Sequence, residues 1–397
     1  MQIPILPSLL FCVSINLNFD IHKLILNKME EKQMTYQSVG VSYEDMDPFK
    51  IACQRRAILT SKNAQRLRFF SNDFSRGESA FVMNTILRGL QSFLHVEEGL
   101  GTKNLVADAM LKITGKSYYD QIAKCTMAMI VNDMITVGGL PVSVAMHLAV
   151  GSSDWFKNEQ RATDLINGWG DACDEAGCVW AGGETPTLKG IVYPEAALLS
   201  GSAFGIQACG IDLLRIDEGD VIVILESSGI HANGLTLART IADNLPKGYE
   251  TLLSDGRMYG EALLDPTHIY VEFIEACRNR GVDLHYAVNI TGHGWRKLMR
   301  ANLPVNFSYV IENLPTQLPI FDFIQEHGPV SDEEAYGNFN MGAGFAIFMS
   351  EKDVEKLYQI KTNLRWFVAG HIEKSPVKRV VIEPKKLEYK AETLAVR

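Results

Sequence analysis

Two short runs carry residue types that handle phosphate and metal ions. Glu97-Glu98-Gly99-Leu100-Gly101-Thr102-Lys103 sets carboxylates before two glycines spaced by one residue, with Thr-Lys after them. Read as a turn, it exposes backbone N–H groups and holds an anion-binding lysine beside metal-binding carboxylates. Val131-Asn132-Asp133 stands at the end of a predicted helix. Ile122, Cys125, Thr126 and Met129 fall at i, i+3, i+4 and i+7, a buried stripe that Asp133 continues. A carboxylate on that inward face is costly unless something pairs with it. A magnesium ion bound to phosphates is one such partner; a buried lysine or a local cap is the other. Taken singly, a glycine-rich turn is often only a turn, and a helix-end Asp only a cap.

Four more glycine turns follow. The apolar stretch 178–181 runs into Gly182-Gly183-Glu184, where small residues let a ligand approach and Glu184 sits at the mouth. A plain β-turn with a solvent-facing Glu184 is the competing reading. Ser227-Ser228-Gly229-Ile230-His231-Ala232-Asn233-Gly234 lies between an apolar strand at 221–225 and a helix from Leu235. Strand, glycine-serine turn and helix start present free N–H groups to an anion. Ile290-Thr291-Gly292-His293-Gly294-Trp295 precedes a helix reaching Arg300, and Asn338-Phe339-Asn340-Met341-Gly342-Ala343-Gly344 precedes an apolar strand at 345–349.

The elements that position these turns are legible in outline. Asp47 as N-cap with Pro48 at the first helical position predicts a helix starting after Asp47. Residues 142–150 read as a buried strand, and 158–176 as an amphipathic helix ending at Gly177 as C′ glycine. Residues 196–209 close a first unit, and Gly219-Asp220 opens a second whose strand at 221–225 is buried on both faces. Residues 369–372 and 380–383 are predicted to form the last hairpin.

At 397 residues and 47% hydrophobic content the chain can bury a large core, and two domains are expected. A formal charge of −9, with no Lys/Arg cluster to offset it, argues against a nucleic-acid surface. Seven cysteines without C-x-x-C pairs make neither a disulfide framework nor a zinc site, so reduced thiols in a cytoplasm are the simplest reading. The apolar run over 3–15 is too short to span a bilayer and is broken by Pro4 and Pro7. No Lys or Arg precedes Lys23, so a signal peptide is not expected either. Residues 1–33 are read as an extension outside the fold, dispensable up to Met34, and no membrane association is expected.

Taken together and in order, seven runs resemble the aminoimidazole ribonucleotide synthetase (phosphoribosylformylglycinamidine cyclo-ligase) family. They are Glu98-Gly-Leu-Gly-Thr-Lys103, Val131-Asn-Asp133, Gly182-Gly-Glu-Thr185, Ser227 to Gly234, Glu261-Ala-Leu-Leu-Asp-Pro-Thr267, Ile290-Thr-Gly292 and Phe339-Asn-Met-Gly-Ala-Gly344. The resemblance covers roughly residues 35–383. It implies a two-domain α/β (α+β) fold: an N-terminal domain over 34–207 whose strands join a partner's in a dimeric β-barrel, and a C-terminal α/β domain over 208–390. It implies a homodimer, ATP and Mg2+, and a ribonucleotide substrate, with formylglycinamidine ribonucleotide converted to aminoimidazole ribonucleotide, ADP and phosphate.

Carried over by position, the resemblance makes Glu98 and Asp133 magnesium ligands and Lys103 the phosphate-neutralising cation. Glu184 resembles the acid of the double-glycine motif, serving metal or substrate. His231 joins Lys103, Asp133 and Glu184 among the residues expected to act in catalysis. Gly99, Gly101, Thr102, Lys103, Asn132, Asn233, Thr291 and Asn340 are expected around the nucleotide. The chain departs from the family pattern at four places. Glu98 stands where Asp is usual, His293 where the Thr-Gly-Gly-Gly run has glycine, and His268 where Pro-Thr-Arg has arginine. The loop at Gly77-Glu78-Ser79-Ala80-Phe81 has one glycine and an acid beside it. A same-fold enzyme acting on another substrate, such as a thiamine-phosphate-kinase-like protein, and a catalytically silent nucleotide-binding paralogue are the alternatives.

Overall fold

The computed structural model describes residues 34–39, 43–75, 77–86, 91–211, 213 and 215–394; the extension expected over 1–33 lies outside them. The first half comprises helix α1 (Tyr43–Ile58), strands β1 (Phe69–Ser71), β2 (Phe81–Thr85) and β3 (Gln91–Gly99), helices α2 (Lys103–Thr114) and α3 (Tyr119–Ile135), strand β4 (Gly139–Val150), helix α4 (Glu159–Ala176), and strands β5 (Val179–Glu184) and β6 (Ala197–Gln207). The strands form one six-stranded sheet in the order β1-β2-β3-β6-β4-β5. Only β4 and β5 run parallel, because α4 carries the chain back between them as a crossover. Asn158 starts α4 by accepting the Arg161 N–H at 2.9 Å, and Gly177 ends it in the left-handed region at φ +66.

One face of this sheet is covered by α3, buried along its length except at Asp120, Gln121 and Lys124. The helix lies close because β6 presents glycine beneath it: a Cβ on Gly205 would stand 2.3 Å from Met134 Sδ. Along β3 the two-residue period sends Leu94, Val96 and Glu98 under the helices and His95 and Glu97 to the other face. Among the described residues, that other face carries no layer of its own. Phe93 stacks on Phe204 at 5.7 Å between ring centroids, and Phe204, Ile206 and Leu198 are exposed. The sheet is open, and the described residues of one chain form no closed barrel.

The second half adds β7 (Val221–Glu226), α5 (Leu235–Asn244), α6 (Tyr259–Leu263), α7 (Val271–Asn279), β8 (Leu284–Asn289), β9 (Phe307–Ile311), α8 (Pro319–His327), α9 (Asp332–Asn338), β10 (Ala343–Met349), β11 (Trp366–Lys374), β12 (Arg379–Ile382) and β13 (Leu387–Lys390). Its seven strands run β13-β12-β9-β11-β7-β10-β8. All of β8 and β10, and β7 up to Leu225, are buried; β7 to Leu225 and β10 are continuous apolar runs, whereas β8 also buries His285 and Asn289.

Four sequence expectations change. Helix α1 begins at Tyr43, so Pro48 lies inside it rather than at its start. Residues 43–46 supply the first turn, where the Glu44 carboxylate suits the helix dipole. The turn expected at 97–103 is confined to residues 100–102; Glu97, Glu98 and Gly99 belong to β3 because its alternation continues through them. Strand β4 begins at Gly139 and accommodates Pro141 at a bulge in its pairing with β6. The last hairpin is β12 with β13; β9 separates β12 from β11 and pairs parallel with β12.

Side chains of α2 and α3 tie the two halves together. Asn132 donates to the His268 carbonyl at 2.8 Å and accepts the Tyr270 N–H at 2.9 Å. The Thr267 N–H meets Cys125 Sγ at 3.3 Å. The fully buried Lys103 ammonium donates to the carbonyls of His231 at 2.8 Å and Asp265 at 2.7 Å. Asn132→Ala leaves a half-buried carbonyl and a buried N–H without partners, and should lower unfolding stability by about 2–3 kcal/mol. Denaturant titration checks this, and a loss below about 0.5 kcal/mol would mean that water or a neighbour replaces the amide.

Candidate active site

The seam between the halves gathers charged groups at the ends of β3, α3 and β8. Glu98 points inward from the last turn of β3 and Asp133 from the last turn of α3, and their carboxyl groups hydrogen-bond to each other. Two carboxylates in contact cannot both stay charged without a cation between them. Burial, then the neighbouring Asp133, pushes the Glu98 carboxyl up to about 8, while Lys297 pulls it down. Asn289, at the end of β8, fixes the pair by donating its amide to Asp133 Oδ1 at 2.6 Å. Just beyond, buried Thr291 accepts a hydrogen bond from the Lys297 ammonium. Thus β3, α3, β8 and the short helix Gly294–Met299 converge on one spot.

This arrangement fits a hard dication. It offers oxygen donors only, already in contact, and a metal would displace the proton that burial favours on Glu98.

Around the seam the second half contributes its glycine turns. His231 is held at φ +59 with Nε2 accepting the Ser228 N–H at 3.3 Å. Burial, with the nearby His268 and Lys103, depresses its pKa well below the ordinary histidine value, so the ring is neutral. It packs 6.3 Å from the His268 ring and 6.4 Å from Tyr270. Gly344 makes that packing possible, since a Cβ there would lie 1.8 Å from Tyr270 Oη and 2.8 Å from His231 Cε1. Asn340 braces the 227–229 turn, accepting from Ser227 Oγ at 3.1 Å and donating to the Gly229 carbonyl at 2.9 Å.

The sequence candidates therefore separate into groups. Glu98 and Asp133 meet, with Thr291 linked to them through Lys297. Gly99 ends β3, Gly101 turns at φ +77 and Thr102 leads into α2, all beside Glu98. Lys103 and Asn132 spend their polar atoms on backbone groups of the other half. Asn233 is half-buried, its amide 4.0 Å from Met129 Sδ, and Asn340 serves its own turn. Glu184 does not join them. It is exposed, pairs in register with His147, and shares the outward face with that residue. Three strand spacings, roughly 14 Å, and the sheet itself separate it from Glu98.

Asn289 and Lys297 escaped the sequence reading. Asn289 carried one signal, as a polar residue closing the largely apolar stretch 284–288; Lys297 carried none beyond its place on a helix. The altered loop at Gly77 is docked on the second half. Arg300 binds the Gly77 carbonyl through Nε at 3.1 Å and Nη2 at 2.9 Å, and reaches Ser79 Oγ. The Tyr286 hydroxyl donates to Glu78 at 2.6 Å, so this loop's acid is engaged within the chain. A separate cleft of about 700 Å³ opens beside His268, lined by Glu175, Glu272 and Lys361 among others.

Residues 77–207 match the AIR synthase related protein N-terminal domain, and residues 217–383 its C-terminal domain. The chain belongs to the AIR synthase related family. Among curated members, the phosphoribosylformylglycinamidine cyclo-ligase of Methanocaldococcus jannaschii is 37% identical over 281 residues, 69% of this chain and 76% of that one. The enzyme of the same name from Caldicellulosiruptor bescii is 30% identical over 356 residues, 86% of this chain and 97% of that one. In three dimensions the fold is shared with AaThiL complexed with AMPPCP and TMP, at TM-score 0.54 and 15% identity, covering 84% of this chain and 94% of that one. Among the described residues, no helix is long and apolar enough to cross a membrane.

Proposed function

We propose that this family member is a phosphoribosylformylglycinamidine cyclo-ligase, converting formylglycinamidine ribonucleotide and ATP to aminoimidazole ribonucleotide, ADP and phosphate in purine biosynthesis. Relatives of that name align over most of their own length. The observation that carries the site assignment is the Glu98–Asp133 pair with Asn289 fixing one acid. In the reaction, ATP phosphorylates the formyl oxygen; the amidine nitrogen of the same molecule then attacks that carbon, and phosphate leaves. Ring closure within one molecule needs positioning more than a covalent catalyst. Magnesium held by Glu98 and Asp133 would neutralise charge on the phosphates. Asn289 keeps Asp133 oriented, and neutral His231 can stand beside substrate without adding charge. The Ser227–Gly234 turn, braced by Asn340, is the proposed wall of the nucleotide site.

We place the enzyme in the cytoplasm, where its thiols stay reduced, and propose a homodimer formed through the open face of the first sheet. Phe204, Ile206 and Leu198 give that face an apolar patch that a second copy would cover. Light scattering should return a dimer for the wild type and a monomer for Phe204→Asp; a stable wild-type monomer contradicts the pairing.

Purified protein should release phosphate from ATP with magnesium only when formylglycinamidine ribonucleotide is added. Turnover of thiamine phosphate instead would move the assignment to a kinase. Asp133→Asn keeps volume and removes a charge, so the fold should survive while activity falls on the order of 10²-fold. Glu98→Asp restores the family's usual residue and should be tolerated. Near-normal turnover of Asp133→Asn with an unchanged magnesium requirement would eliminate the metal-site reading.

A further inference from the structure

Phosphate chemistry at the acid pair needs a cation besides any metal, and two lysines are candidates, Lys103 by its motif and Lys297 by its place. Lys103 is fully buried, and its ammonium is bound by two main-chain carbonyls of the other half. Moving it toward a ligand would strand both acceptors. Lys297 is placed differently. It is half-exposed, it rises from the short helix Gly294–Met299, and its ammonium donates to Thr291 Oγ1 at the end of the turn after β8. Thr291 follows Asn289 by two residues, and the Asn289 amide binds Asp133, so the ammonium stands at the edge of the acid pair and its charge pulls the Glu98 carboxyl down. A hydroxyl and an ammonium next to paired carboxylates make a mixed-sign pocket, the arrangement that holds a phosphate and its metal together.

We infer that Lys297, not Lys103, is the side chain that contacts a phosphate group at this site, with Thr291 orienting it and Lys103 acting as a strut between the halves. The identity of the phosphate rests on the cyclo-ligase reading. It belongs either to the nucleotide or to the ribonucleotide substrate, and the same chemistry serves both.

The test uses full-length Lys297→Met, Lys297→Arg and Lys103→Met. Affinity for MgATP and for adenosine is measured by calorimetry without substrate, then kcat and KM for phosphate release, with thermal unfolding as the control. Lys297→Met should unfold within a few degrees of wild type. A nucleotide contact weakens MgATP at least tenfold and leaves adenosine unchanged; a substrate contact raises the ribonucleotide KM by a similar factor. In either case Lys297→Arg recovers much of the loss, because a cation is what is needed. Lys103→Met should instead lower the unfolding temperature by several degrees, as a strut requires. The inference is overturned if Lys297→Met changes neither affinity nor KM by more than about threefold, or if Lys103→Met shows the phosphate-specific loss without destabilisation. Wild-type protein that binds MgATP but is inert toward formylglycinamidine ribonucleotide would sink the reaction assignment and leave the calorimetric arm to decide on Lys297.

Discussion

A helix buried on nearly every side must find a partner for each polar group it carries, and this constraint organises the molecule. Helix α3 lies between the first sheet, α4 and the second half, and its last turn carries Asn132 and Asp133, both almost without solvent. Consecutive residues on a helix point about 100° apart, so the two need different partners. Asn132 finds the backbone of His268 and Tyr270, which fixes the second half against the first. Asp133 finds the Asn289 amide and the Glu98 carboxyl, and a site forms at the junction the first contact creates. One amide does structural work so that the adjacent carboxylate can be held in place.

The electrostatics follow from that placement. An apolar helix and a two-sided core leave the acids little water, which is why Glu98 holds its proton toward neutral pH in the absence of a cation. The two lysines divide the labour. Lys103 satisfies carbonyls within the seam, whereas Lys297 stands at its edge beside the acids. Arg300 and Tyr286 hold the single-glycine loop at Gly77 against the second sheet, and its acid is partnered there by both. The substitution of an acid into that loop is therefore matched by partners within the chain.

Much of this was legible in sequence because periodicity reports burial. The inward stripe leading to Asp133, the glycine cap at Gly177 and the buried apolar run of β7 over 221–225 all appear as expected. What sequence could not supply is which face a turn residue takes and what lies across the seam. Glu184 follows a double glycine just as a site residue would, but strand register turns it to the open face with His147. Lys103 has the expected motif around it, yet its ammonium is satisfied by backbone atoms more than a hundred residues away in the chain. Lys297 has no motif and reaches the site only because β8 and its turn bring it there.

The central claim is that Glu98 and Asp133 hold a metal against nucleotide phosphates at this junction. Pulsed electron paramagnetic resonance with Mn2+ in place of Mg2+ addresses it directly, because phosphorus nuclei within a coordination bond of the ion give a resolved hyperfine coupling. With ATP present, the wild type should show protein-bound Mn2+ coupled to phosphorus, and Asp133→Asn should return the spectrum of free Mn2+–ATP. Identical bound spectra from the two proteins would place the metal elsewhere and contradict the account.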